Sequence, residues 1–346
     1  MIDPLSIESI SLLLVWTAIG VYALAFIAYA IDLAHRSGRV AHTAPARELV
    51  AAGGTAATPR GGRGEHTTRA VDVPPAARPR LLWARIGTTL TVLGFLFHLA
   101  GDVGRGIAAE RVPWANMYEF ALTGTLLIVA VYLAVLRRYD LRFLGAFLIG
   151  MVVLLLGGST LSFYVEVTPL MDPLKSVWLV IHVFVASLAT ALFAIACGLS
   201  VTQLLQTRRE RTSSPSRPAR RSTHTENGGT PPRKPSYLDT LPHADELEAL
   251  AYRFAIVGFI FWTFTLIAGA IWANDSWGRY WGFDTKEVWT FVIWVLYAGY
   301  IHARATRGWR GTRSAWLSIV GFTAVLFNFT IVNMFFKGLH SYSGLS

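Results

Sequence analysis

Long apolar stretches constrain this chain more than any other feature, because each is long enough to cross a bilayer. A span needs about 20 apolar residues to cross a hydrocarbon core of about 30 Å. Of the 346 residues, 53% are hydrophobic and only 15% are charged, a balance typical of membrane proteins. The predicted spans are Ile10–Ile31, Leu82–Val103, Met117–Leu136, Phe143–Leu161, Val177–Leu205, Phe254–Ala273, Val288–His302 and Ala315–Phe336. We therefore predict an all-α polytopic membrane protein with about eight transmembrane helices.

The basic residues predict the orientation of these spans. The formal net charge is +10, and most Lys and Arg fall in segments that lie inside if the N-terminus lies outside. The opposite topology would invert this positive-inside pattern. The excess charge therefore reports orientation and contact with anionic lipids of the bilayer, and it does not indicate a nucleic-acid partner. We predict a multi-pass protein of the plasma membrane with both termini outside.

Two polar segments interrupt the spans, at Arg36–Arg80 and Arg208–Pro235. Neither has enough apolar surface to order itself, so both are predicted to be disordered cytoplasmic loops. The predicted organisation is a first transmembrane helix plus a disordered cytoplasmic loop over residues 1–81, and one membrane domain over residues 82–346. That domain contains the second disordered loop, at about residues 208–240.

The most informative segment runs from Trp272 to Trp294 and is predicted to contain a tryptophan-rich outer loop. Belts of Trp and Tyr are common at membrane interfaces, and such a belt explains Trp289 and Trp294 on the next span. It does not explain the aromatic residues that alternate with glycines before that span. Rings among glycines suit a platform for a large flat ligand, because glycine allows a close approach. The candidate residues are Trp272, Trp277, Tyr280, Trp281, Phe283 and Asp284.

Residues 277–287, WGRYWGFDTKE, resemble the tryptophan-rich WWD signature of haem-handling proteins in cytochrome c maturation. The DxKE ending is similar to the CcsA/ResC branch of that family, although Phe283 stands where the family often has Trp. Other segments resemble motifs of the same branch, in the same order. They are Arg111–Glu119, Leu174–His182, Tyr252–Phe259 and Gly338–Tyr342. The resemblance extends from about residue 85 to the end, apart from the second polar loop.

The resemblance implies a role in cytochrome c maturation of the system II type. The chain would bind haem b and present it at the outer face, as the haem-presenting subunit of a cytochrome c synthase complex, with no certain catalytic residue of its own. The implied partners are a ResB-type membrane protein, apocytochrome c and a thiol-reducing protein. Because Cys197 is the one cysteine, thiol chemistry must come from a partner.

Two other functions are compatible with some of these residues. The first is haem delivery of the CcmC type, in which haem passes to a haem chaperone. Eight spans and the DxKE ending disfavour it. The second is an aromatic-gated transporter of another substrate, which predicts charged residues or broken helices at the membrane midplane. The predicted midplanes are apolar, so this function is also disfavoured.

Four histidines lie in or beside spans: His98, His182, His302 and His340. An intramembrane His is costly enough to suggest a function, and His is a common axial ligand of haem, although a lone His more often packs. His182 opens the fifth span and His340 follows the eighth, so both lie near the outer surface. The resemblance implies that these two ligate an external haem.

His302 is similar to the family's intramembrane haem-ligating His. It lies about 14 residues, or roughly 21 Å, inward from the outer start of its span. His98 would differ from it in height by about 15 Å. The second ligand of His302 is therefore predicted to come from another chain, and His98 to be a packing residue or an outer-site residue.

The candidate partners of the haem propionates are among the outer cations Arg105, Arg111, Lys175, Arg279 and Lys286, because guanidinium suits carboxylates. For any one of them, ordinary surface charge is the favoured explanation. Asn116 and Glu119 belong to the wider candidate set. We expect them, like Asp284, to buttress the loops and not to contact iron.

Overall fold

The computed structural model describes residues 6–43, 82–213, 236–306, 308–336 and 338–339. Over these residues it is a helical bundle without strands, and the all-α prediction is confirmed. The helices are α1 (Ile7–Thr43), α2 (Leu82–Ala109), α3 (Met117–Leu136), α4 (Gly145–Ser162), α5 (Val177–Ser213), α6 (Ala244–Trp277), α7 (Thr285–Thr306), α8 (Thr312–Phe329) and α9 (Ile331–Phe335). Short 3-10 turns lie at Arg142–Leu144, Asp172–Lys175 and Tyr237–Thr240.

Seven helices of the described residues are long and apolar enough to cross a membrane, with α8 and α9 counted as one. The chain is thus a multi-pass membrane protein. The exception is α7, which contains the seventh predicted span. It is 22 residues long, but its Trp and Tyr residues, together with His302 and Arg304, reduce its apolar character. An eighth crossing therefore stays a prediction, as does the orientation of the bundle.

Two helices extend further into the polar segments than we predicted. Helix α1 continues to Thr43, and Asp32 pairs with Arg36 one turn later at 2.6 Å. Helix α5 continues to Ser213 through Leu, Gln, Arg and Glu, which favour helix whether or not they are apolar. The lengths of the apolar runs therefore underestimated the lengths of both helices. The rest of the two polar segments, 44–81 and 214–235, lies outside the described residues.

Helix α5 joins two groups of helices. In the first group, α1 packs against α2 and α4, and α4 packs against α3. In the second group, α7 packs against α8, and both α6 and α8 pack against α5. The groups meet mainly where α3 packs against α5. The candidate site lies near this junction, at the end of the bundle where α3, α5 and α7 begin.

Candidate functional site

Most of the tryptophan-rich segment is helical. Helix α6 continues to Trp277 because neither Gly nor Pro interrupts it after Gly269. It ends at Gly278, whose φ of 69° is a left-handed conformation that glycine adopts readily. The predicted tryptophan-rich loop is therefore reduced to a short connection, residues 278–284, and Trp272 lies on α6.

Asp284 and Glu287 fix this connection in the manner of a capping box. Asp284 Oδ2 accepts a hydrogen bond from the backbone N–H of Lys286 at 3.3 Å. Glu287 Oε2 accepts from the backbone N–H groups of Gly282 at 2.8 Å and Asp284 at 3.2 Å. Phe283, which lies between Gly282 and Asp284, has a φ of 58°, and this is uncommon for a residue with a Cβ. Its side chain is 80% exposed.

The His182 ring is held against α6. Its Nδ1 donates a hydrogen bond to the carbonyl oxygen of Thr265 at 2.9 Å, and the ring stacks on Trp272 with centroids 6.0 Å apart. Gly269 permits this approach, since a Cβ there would lie 2.7 Å from the ring. Metal-bound His commonly donates its second N–H to a carbonyl in this way. In the neutral ring, Nε2 then carries the lone pair that a metal needs.

Three neighbouring cavities meet at His182 and Lys286, which line all of them. The aromatic cavity, of about 490 Å³, lies between α6 and the connection. Its other walls include Trp272, Tyr280, Trp281 and Glu287.

The other two cavities lie on the α3 side of His182. The α3 cavity, of about 480 Å³, is lined by residues that include Met117, Phe120, Leu174 and Leu179. The central cavity, of about 970 Å³, lies between α3, α5 and α8 and is mainly apolar. The sequence had not predicted a cavity inside the bundle.

The aromatic residues divide into a supporting pair and an exposed set. Trp272 Nε1 donates to the Pro173 carbonyl at 2.8 Å, and Trp277 packs edge-on against Trp272 with centroids 4.9 Å apart. Trp277 is not among the residues lining the three cavities. Tyr280 and Trp281 are exposed and line the aromatic cavity. Arg279 is also exposed, and its guanidinium lies over Gly282.

The C-terminal segment reaches the same connection. Asp284 Oδ1 accepts a hydrogen bond from the backbone N–H of Leu339 at 3.0 Å. Lys286 Nζ donates to Asn333 Oδ1 on α9, which links the start of α7 to the helix before that segment. His340 itself lies outside the described residues. The structure therefore describes the position of its neighbour, Leu339, beside Asp284.

Arg105, Arg111 and Glu119 form a buried cluster between α2 and α3. Arg105 donates to Glu119 at 3.0 Å, and also to Glu8 and the Val165 carbonyl, both at 2.7 Å. Arg111 donates to the second carboxylate oxygen of Glu119 at 2.7 Å. Neither arginine is among the residues lining the three cavities. These contacts give both arginines a structural role and do not support our expectation that they bind haem propionates.

Two neighbours complete this cluster. Asn116 is the N-cap of α3, and its side chain accepts from the backbone N–H of Glu119 at 2.9 Å. Tyr164 donates to Glu8 at 3.0 Å, and burial together with this hydrogen bond raises the pKa of the Tyr164 hydroxyl. The cluster thus ties the start of α1 to the segment that precedes α3.

His98 and His302 lie apart from the three cavities. His98 is fully buried; its Nε2 donates to the Leu122 carbonyl at 3.0 Å, and its Nδ1 accepts from Tyr22 at 3.3 Å. This is the arrangement of a packing residue. His302 is exposed on α7. Within the described residues, no group of three or more His, Cys, Asp or Glu is placed to hold a metal ion.

Sequence reasoning missed the residues that support the site from other helices. Thr265 acts through its backbone carbonyl, which no side-chain motif reveals. Gly269 acts through the absence of a side chain, and Asn333 acts through a contact with α7. A short motif contains none of these three-dimensional relations.

The fold and this site define a class of multi-pass membrane proteins with an aromatic site at the end of a helical bundle. Residues 114–340 match the family model described as cytochrome C assembly protein. The chain is 32% identical over 262 residues to cytochrome c biogenesis protein CcsA of Trieres chinensis, covering 72% of this chain and 83% of that protein. It is 30% identical over 295 residues to CcsA of Gloeobacter violaceus, covering 75% and 87%. The chain belongs to the cytochrome c assembly family and is of the CcsA type.

The fold is also similar to a solved structure, cytochrome c haem lyase CcmF. The TM-score is 0.61 at 15% sequence identity. The match covers 95% of this chain and 47% of that one, so this chain spans about half the length of CcmF. At this identity the likeness concerns the fold alone.

Proposed function

We propose that this chain binds haem between His182 and His340 at the outer membrane face and presents it for covalent attachment to apocytochrome c. Membership of the cytochrome c assembly family assigns the chain to cytochrome c maturation. The observation that supports haem presentation is the His182 ring, held beside the aromatic cavity with Nδ1 donating to Thr265.

The residues present suit haem as the substrate. An imidazole whose Nδ1–H is bonded to a carbonyl is oriented for iron, and the exposed Tyr280 and Trp281 offer aromatic side chains beside it. The second proposed ligand, His340, directly follows Leu339, whose backbone is bonded to Asp284. In sequence, the connection lies between the two proposed ligands.

In this proposal the chain supplies position and environment, and haem and the apocytochrome thiols supply the chemistry. His182 and His340 hold the iron of haem b, while Lys286, at the meeting point of the cavities, pairs with a propionate. The vinyl edge faces the incoming apocytochrome. The axial His of the new cytochrome then replaces one of the two ligands.

The partners belong to the same proposal. The exposed side chain of His302 shares one face of α7 with the exposed Val288, Phe291 and Val295. A helix of a ResB-type partner on this face would supply the second ligand of an intramembrane haem. A thiol-reducing protein keeps the apocytochrome cysteines reduced, and the complex acts in the plasma membrane with its site outside.

Absorption spectra test this proposal. The chain is purified in detergent with its co-expressed ResB-type partner, as wild type and as His182→Ala with His340→Ala. The expected result is a reduced low-spin b-type spectrum that the double variant loses or strongly weakens. His243→Ala is the control, because His243 is an exposed residue at the start of α6. A wild type that holds no haem when haem is plentiful contradicts the proposal.

A further inference from the structure

Glu119 and Glu287 occupy the same position in two similar helix starts, Asn116-x-x-Glu119 and Asp284-x-x-Glu287. Both oxygens of Glu119 are bonded, to arginines and to a backbone N–H. Glu287 differs. Its Oε2 accepts two backbone N–H groups, whereas its Oε1 is buried and has no hydrogen-bond partner among the described residues. A buried polar atom in this condition is costly and calls for an explanation.

The location of Glu287 suggests an explanation for its unpaired oxygen. Its side chain lines the aromatic cavity together with His182, Tyr280 and Trp281. The carboxyl group is also fixed in orientation, because Oε2 is bonded to the backbone on which these aromatic residues lie. An acid–base group held by one oxygen, with the other still to be bonded, is suited to receive a proton from a molecule that enters the cavity.

Glu287 is the only carboxylate among the described residues that line this cavity, and other titratable or charged groups lie close to it. Asp284 is bonded to Leu339 and Lys286 backbone N–H groups. Lys286 Nζ is bonded to Asn333, and His182 Nδ1 to Thr265. Two further groups lie on the connection and are exposed. They are Arg279 and Tyr280.

We propose that Glu287 transfers the proton during thioether formation, an inference that rests on the function proposed above. The Glu287 carboxyl group takes the proton from a cysteine thiol of the apocytochrome. The sulfur then forms a bond to the inner carbon of a haem vinyl group as the vinyl double bond breaks. The carboxyl group returns the proton to the outer vinyl carbon. The step is an addition: no oxidant or reductant takes part, and Glu287 ends as it began.

Glu287→Gln separates this role from the capping role. Gln keeps a side-chain oxygen that accepts the two backbone N–H groups, and capping boxes accept Gln at this position. It cannot take up and return a proton. A purely structural Glu287 therefore predicts an unchanged variant. The proposal predicts normal haem binding with slow attachment.

The experiment uses the haem-loaded complex with the ResB-type partner, mixed with reduced apocytochrome c in a single turnover. Haem content and spectrum are measured first, and covalent attachment is then followed across pH. We expect Glu287→Gln to retain haem and to attach it about 100-fold or more slowly, the lower end of general acid–base effects. The pH dependence caused by the carboxyl group should disappear. Asp275→Asn is the control, because Asp275 lies at the end of α6 and is bonded to Ser176.

The outcomes distinguish the two proposals. Attachment by Glu287→Gln at the wild-type rate and with the wild-type pH profile overturns the proton-transfer role and leaves haem presentation intact. Loss of haem from this variant also overturns it, since Glu287 would then act in haem binding. A wild-type complex without haem contradicts the underlying function itself.

Discussion

The starts of α3 and α7 use the same local design for opposite purposes. Each begins with an Asx residue and has a Glu three positions later that fixes the preceding chain. At α3, Glu119 is completely buried and lies between two arginines. At α7, Glu287 is bonded to backbone N–H groups and faces a cavity. The charged neighbours of each Glu therefore distinguish the two helix starts.

The largest expected effect is at the α3 start. Glu119→Ala removes the carboxylate that the buried Arg105 shares with the partly buried Arg111. Breaking such a cluster from one side destabilises by about 3–5 kcal/mol. Denaturant or thermal unfolding of the purified protein measures the change. A loss below about 1 kcal/mol would show that the cluster is not the support we describe.

Gly269→Ala tests the support of His182. The new Cβ would lie 2.7 Å from the imidazole, so the ring must move, and overpacking of this kind costs about 1–3 kcal/mol. We expect weaker haem binding, measured by titration and absorption. Gly158→Ala is the matched control, because nothing lies within 4 Å of a Cβ at that helical position. Equal haem affinity in both variants would contradict the proposed role of Gly269.

Glu287→Ala measures the capping role alone. It removes the acceptor for two backbone N–H groups at the α7 start, and loss of a helix cap costs about 1 kcal/mol. Glu287→Gln should lose less stability than Glu287→Ala, because its side-chain oxygen can still accept the two hydrogen bonds. Unfolding of the two variants under the same conditions compares them. Equal destabilisation by Ala and Gln would show that the two backbone bonds do not hold the connection.

Asp284→Ala releases the segment that carries His340. The Leu339 N–H loses its acceptor, and a bond of about 1 kcal/mol corresponds to about a fivefold change in local opening. We expect trypsin to cleave after Lys337 about that much faster. Asp284→Asn keeps one of the two acceptor oxygens that bond Leu339 and Lys286, so its cleavage should be faster than in the wild type but slower than in Asp284→Ala. Unchanged cleavage in Asp284→Ala would mean that this bond does not restrain the segment.

The smallest effect is expected at an exposed pair. Lys175 bonds to Asp172 at 2.6 Å and holds the pKa of that carboxyl below its usual range. A carboxyl group with a lowered pKa stabilises the folded protein at pH values above the usual pKa of Asp. This stabilisation is lost as the pH falls. Because both side chains are exposed, solvent screens the pair. Asp172→Asn should therefore leave unfolding unchanged at neutral pH, and a clear loss would show that this turn matters more than its exposure suggests.

The sequence predicted those features that depend on neighbouring residues. Apolar run lengths located the long helices of the described residues, but they ended α1, α5 and α6 too early, because each helix continues into polar residues. The sequence could not predict the role of Arg105, for another reason. Its partner Glu8 is 97 residues away, and an isolated cation in a sequence looks like surface charge. The central cavity likewise arises only from packing.

The exposed face of α7 has a consequence for the production of this protein. His302 lies on that face with Val288, Phe291 and Val295. In the predicted eighth crossing, an imidazole facing lipid costs free energy, and the proposed partner helix would offset this cost by bonding the ring. A chain synthesised in excess of that neighbour keeps this cost until it is paired or degraded. The amount of the chain in the cell should therefore follow the supply of the proposed ResB-type partner.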